Sequence, residues 1–210
     1  MFTLCLANIV HALGGMGVRS DKVVRFVEDN AERILVKAEP QAIVNIAYTF
    51  AKLFKASRYF EALDRENVVD ELVNGTPQDT SNTIWAIATL GEKAGTLAHE
   101  INTVETSRII VNGTPQAISN MIWATQQMKL ACLELVTEII RDADRIMANG
   151  NPQDLSNIAY ALADLGYFDK SVFVAVAGQT ERFTRHGTDQ CLCNLLWSFA
   201  VAGNPNSSGA

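Results

Sequence analysis

The sequence has 210 residues, 17 of them basic and 23 acidic, for a formal net charge of −6; 48% are hydrophobic and 19% charged. That composition can fill a continuous apolar core, and no apolar run approaches the ~18 residues of a membrane span. The acidic balance argues against a chain held to nucleic acid mainly through phosphates, while leaving base contacts in a groove open.

Taken from its start, the chain opens on a helical stretch over 2–14 that contains the phrase NIVHALGG from Asn8. The same kind of phrase returns from Asn45, Asn82, Asn120, Asn157 and Asn194, each copy 37 or 38 residues after the last. A period of that size marks stacked helical repeats, in which each repeat buries its apolar side against its neighbours. The expected fold class is all-α, an αα-hairpin solenoid of about five repeats. One array is expected over 1–203: a partial repeat 1–38, repeats 39–75, 76–113, 114–150 and 151–187, and a partial repeat 188–203. Residues 204–210 read as a flexible tail.

Each repeat begins with similar punctuation. It is weak in Glu39-Pro40-Gln41, full in Gly75-Thr76-Pro77-Gln78, Gly113-Thr114-Pro115-Gln116 and Gly150-Asn151-Pro152-Gln153, and weaker again in Gly187-Thr188-Asp189-Gln190. The glycine suits a left-handed residue closing the preceding helix, Thr or Asn suits an N-cap, and Pro fits the first helical position. Asp79 and Asp154 in the first turn complement the helix dipole. An opening helix of about 14 residues follows, ending near a Gly or Lys such as Gly91 or Gly166. A return helix is then expected over 22–37, 59–73, 98–111, 133–148 and 172–185.

Counting from the Pro position as zero, positions 3, 6, 7, 10 and 13 of the opening helix are mostly apolar and form one stripe. Positions 9 and 11 are mostly small, as in Ala86, Ala88, Ala161 and Ala163, so that neighbouring helices can approach. The opposite face carries Gln at position 1, Asn at position 5 and an aromatic at position 8. Asn45 and Tyr48, Asn82 and Trp85, Asn120 and Trp123, Asn157 and Tyr160, and Asn194 and Trp197 would therefore stand in parallel rows.

One reading makes this face a ligand groove, since aromatic rings hold bases and Asn offers both donor and acceptor. The other makes the aromatics wedges between repeats and the Asn side chains partners of backbone groups. A reader of different letters must itself vary, which singles out positions 2 and 12. The specificity candidates are Asp79 and Asp154 at the former, and Lys52, Thr89, Gln127 and Asp164 at the latter.

The pattern T-P-Q-x-x-S-N-x-x-W-A-x-A-x-L-G, as in residues 76–91 and closely in 151–166, resembles the octotricopeptide repeat. Related repeats occur beside RAP domains in organelle RNA-processing proteins and in repeat-bearing effectors of plant-pathogenic bacteria. The resemblance implies sequence-selective binding of single-stranded RNA in a mitochondrion or chloroplast, read by the opening helices. A single Pro stands here where that family usually has a run, and no RAP-like segment is seen.

Nothing in the sequence points to an enzyme. His11, His99 and His186 lack metal-ligand spacing with Cys or carboxylates, and there is no phosphate-binding glycine loop. No cofactor is expected. Four cysteines without a pairing pattern read as reduced thiols of an intracellular protein. The competing expectation to RNA is a protein-interaction scaffold that captures an extended peptide in an armadillo-like groove. The last helix carries Leu192, Leu195, Leu196 and Phe199 with no return helix after it, so the chain is expected to be part of a longer array or to associate end to end.

Overall fold

The computed structural model describes residues 2–53, 58–65, 70, 72, 74–90 and 96–203, and among them every regular element is an α-helix. In chain order these are α1 (Phe2–Met16), α2 (Asp21–Asp29), α3 (Ala31–Leu35), α4 (Pro40–Leu53), α5 (Arg58–Arg65), α6 (Pro77–Leu90), α7 (Thr96–Val104), α8 (Thr106–Asn112), α9 (Pro115–Met128), α10 (Leu133–Arg141), α11 (Ala143–Asn149), α12 (Pro152–Asp164), α13 (Lys170–Ala177), α14 (Thr180–His186) and α15 (Asp189–Gly203). They fall into two compact units, Met1–Glu105 and Thr106–Ala210. The expected tail over 204–210, Gly91 and Val73 lie outside the described residues.

The opening helices start where the punctuation places them. Thr114 Oγ1 accepts from the Ala117 N–H at 3.2 Å, and Asn151 Oδ1 accepts from the Asp154 N–H at 2.9 Å. Asp154 returns the contact by accepting from the Asn151 N–H at 3.1 Å, which closes a capping box. Thr76 and Asp79 repeat that reciprocal arrangement, and Thr188 Oγ1 accepts from the Cys191 N–H at 3.3 Å.

Within each unit, the main packing is between successive opening helices: α1 on α4 and α4 on α6 in the first, α9 on α12 and α12 on α15 in the second. Ile43, Ile46, Phe50, Ile84, Ile118, Met121, Ile122, Leu155 and Ile158 are fully or almost fully buried along the way. Tyr59 of α5 is also buried. Its hydroxyl donates to the Ile43 carbonyl at 3.2 Å, and burial pushes its pKa far above the ordinary tyrosine value.

Two expectations are corrected here. The return helices are not continuous: 22–37 breaks at Asn30, 98–111 at Glu105, 133–148 at Asp142 and 172–185 at Gly178-Gln179. The break residues Asn30, Asp142 and Gln179 have φ/ψ of −118/13°, −104/17° and −92/13°, a turn conformation that redirects the axis without Pro. Of the predicted 59–73 helix, the structure describes Arg58–Arg65 and a few residues beyond.

The second correction concerns the glycines. Gly75, Gly113, Gly150 and Gly187 are not left-handed; Gly150 and Gly187 have extended φ/ψ of −72/144° and −75/147°. A Cβ on Gly113 would lie 2.2 Å from the Ile109 carbonyl oxygen, so close approach to the helix end requires glycine there. Left-handed closure occurs instead after the opening helices, at Gly17, Lys129 and Gly166 with φ of 65°, 54° and 79°. At Gly166 the turn is sealed by the Tyr167 N–H donating to the Leu162 carbonyl at 2.8 Å.

Candidate ligand-binding face

Positions 5 and 8 stand on one partly exposed side of the opening helices. Asn45, Tyr48, Asn82, Trp85, Asn120, Trp123, Asn157, Tyr160 and Asn194 are all half-buried, and Trp197 is 39% exposed. In the first unit the Tyr48 and Trp85 rings lie 5.1 Å apart between centroids, with planes inclined 31°. In the second, Tyr160 and Trp197 lie 4.7 Å apart at 37°. Both are tilted, offset contacts of the kind aromatic pairs favour.

The amides form a second row beside the rings. Asn194 Nδ2 donates to Asn157 Oδ1 at 3.3 Å, joining α15 to α12. Within a helix, Gln78 Nε2 donates to Asn82 Oδ1 at 2.9 Å and Gln190 Nε2 to Asn194 Oδ1 at 2.8 Å. Gln at position 1 thus orients Asn at position 5 in both units. Each paired ring already has its neighbour against it. What each rung offers outward is a ring edge or outer face beside an amide.

The specificity candidates divide in two. Asp79 and Asp154 are committed to helix caps, and position 2 is buried in Ala42, Ala117, Asp154 and Cys191. Asp79 at the same position stays half-buried. Burial pushes the Asp154 carboxyl above the usual range, against the lowering effect of the Asn151 N–H. Position 12 is exposed in Lys52, Thr89, Gln127 and Asp164. Lys52 Nζ sits 6.0 Å from the Tyr48 ring centroid, at the edge of cation–π range. Thr89 Oγ1 donates to the Trp85 carbonyl at 2.9 Å, and Gln126 Nε2 donates to Asp164 Oδ2 at 2.5 Å, so position 12 sits beside the aromatic row.

A row of arginines escaped the sequence reading. Arg182 donates through Nη1 to the Met147 and Gly150 carbonyls, each at 2.8 Å, at the end of α11. Arg145 makes the matching contacts with the Gly113 carbonyl at 3.0 Å and with the Ile110 carbonyl. The available signal was their spacing: Arg108, Arg145 and Arg182 stand 37 residues apart, the period of the Asn phrases.

A cleft in the first unit lies away from the candidate face. Its lining includes Glu28, Glu32, Arg33, Arg58, Glu61 and Arg65, and no residue of the Asn or aromatic rows. Its ion pairs, Arg65–Glu32 at 2.5 Å and Arg58–Asp29 at 3.7 Å, are exposed and contribute little stability. Among the described residues no group of His, Cys, Asp or Glu is placed to hold a metal ion. No helix of these residues is long and apolar enough to cross a membrane. No protein-family model matches the chain, and no curated protein matches it either.

Proposed function

We propose that the opening helices continue through the chain as an αα solenoid, and that their shared face binds an extended, single-stranded ligand without catalysing a reaction. The ligand this face suits best is single-stranded RNA, bound sequence-selectively in an organelle RNA-processing setting, as the likeness to the octotricopeptide repeat implies. One observation supports the reading above others: the coupled Asn157–Asn194 and Tyr160–Trp197 rungs, beside exposed side chains that differ from repeat to repeat. Bases would rest against outer ring faces and edges, with the oriented amides reaching their polar edges. Lys52, Thr89, Gln127 and Asp164 would discriminate between them.

The net charge of −6 and Asp164 on the face favour a second reading, an extended peptide held by the amide row of a protein-interaction scaffold such as a repeat-bearing bacterial effector. Selection of bound sequences from a random single-stranded RNA pool tests the first reading directly. An enriched motif that shifts when Gln127 and Asp164 are exchanged supports RNA reading at position 12. Failure to enrich any sequence, together with selection of a consensus from a random peptide library, would establish the scaffold instead.

A further inference from the structure

Position 11 is Gly14, Ala51, Ala88, Ala163 and Ala200 in five opening helices, and Gln126 in α9. A small residue there suits close approach. A Cβ on Gly14 would lie 2.9 Å from Thr49 Cγ2, and Ala51, Ala88 and Ala163 are buried. Gln126 instead is half-buried and reaches across to α12, where its Nε2 donates to Asp164 Oδ2 at 2.5 Å. Its Oε1 accepts from Gln127 Nε2 at 2.9 Å. A residue that stacking would keep small thus ties together two of the exposed side chains at position 12.

Chemistry fixes the direction of this relay. A carboxylate only accepts, so Gln126 turns its NH2 group to Asp164 and its carbonyl to Gln127, which must then donate. Asp164 Oδ1 and Gln127 Oε1 are left without a partner among the described residues, and both are acceptors. They belong to residues one helical turn beyond Tyr160 and Trp123, on the same side of α12 and α9. A base resting against those rings would bring its polar edge to a place where acceptors gather. The step between α4 and α6 differs, with the Lys52 ammonium near the Tyr48 ring.

We propose that Gln126, Gln127 and Asp164 act as one reading unit, which selects a base carrying an exocyclic amino group (cytosine, adenine or guanine) and rejects uracil. The inference rests on the RNA reading of this face. The amino group donates to Asp164 Oδ1 or Gln127 Oε1, whereas uracil sets a carbonyl oxygen in the same place, acceptor against acceptor. Gln126 is the positioning residue, acting through the two side chains it holds. Cytosine and uracil share one ring size, so exchanging them changes the edge and little of the stacking.

Fluorescence anisotropy of labelled RNA tests this, the probes being a sequence enriched from a random pool and its single-base variants. At one place cytosine should be preferred to uracil about 10- to 100-fold. Asp164→Asn, which adds a donor, and Gln126→Leu, which releases both side chains, should each bring that ratio close to one. Preferences at the other places and the helical spectrum should not change. A ratio that either variant leaves as it was overturns the proposal, as does an equal loss of affinity for every probe or the absence of any place that rejects uracil. In each of these cases RNA binding itself stands. A pool that yields no binder overturns both this proposal and the reading beneath it.

Discussion

The Trp197 ring rests on Tyr160 with centroids 4.7 Å apart, although the two residues are separated by a whole repeat in sequence. The contact joins α12 to α15 at the position where Tyr48 and Trp85 join α4 to α6. Aromatic pairs contribute about 0.5–1.5 kcal/mol beyond burial. A double-mutant cycle on Tyr160→Ala and Trp197→Ala, read by urea unfolding, should return a coupling in that range. A coupling near zero would make the rings independent neighbours.

The arginine contacts predict a contrast between two residues on one short helix. Arg182→Met leaves the Met147 and Gly150 carbonyls without their donor and should cost about 1–3 kcal/mol. Arg182→Lys should recover part of the loss, because both carbonyls accept from the one nitrogen Nη1 and an ammonium carries three donors. Arg185→Met removes only an exposed pair with Glu181 and should cost under about 1 kcal/mol. Equal losses at 182 and 185 in urea midpoints would contradict the assignment.

Three glycine-to-alanine substitutions should separate three causes. Gly113→Ala meets the Ile109 carbonyl oxygen and should destabilise most, by about 1–3 kcal/mol or more. Gly166→Ala has open space but φ of 79°, and should cost about 1–2 kcal/mol. Gly15→Ala, inside α1 with nothing within 4 Å, should stabilise by about 0.5–1 kcal/mol. Thermal melts of the three variants check the order.

Two aspartates should act on acid stability in opposite directions. Hydrogen bonds from the Ser171 hydroxyl and the Val172 and Ser171 N–H groups hold the Asp169 carboxyl below its ordinary value. Its contribution is present above the unfolded value of about 3.9 and is lost as pH falls through the lower folded value. Burial raises Asp154, whose contribution is complete below the unfolded value and is lost as pH rises through the folded one. Unfolding free energies from neutral pH into the acid range should show Asp169→Asn flattening the loss and Asp154→Asn steepening it.

Opening-helix starts, caps and the partly exposed side of each opening helix were legible because each depends on residues within four positions of one another. Thr114, Asn151 and Thr188 cap as their local patterns require. The interruptions at Asn30, Asp142 and Gln179 carry no Pro, so a continuous helix satisfies the same sequence pattern. Arg145 and Arg182 find their acceptors about one repeat away, where helical periodicity holds no information. Gly113 follows the usual helix-ending pattern for a different reason, the approach of a carbonyl. On the candidate face, spacing revealed the rows, but only packing could show that Asp154 turns back to its own helix start.

The rungs join like-numbered positions, so they store angular phase: one residue inserted within an opening helix would swing everything beyond it by about 100°. Pro77 and Pro115 are 38 residues apart and Pro115 and Pro152 only 37, yet α6 and α9 both have 14 residues and both carry Trp at position 8. The additional residue is taken up after Leu90, in the stretch that returns the chain to its next start. The difference in length between these two starts thus falls outside the opening helices, and each of them keeps its own order of Gln, Asn and aromatic positions.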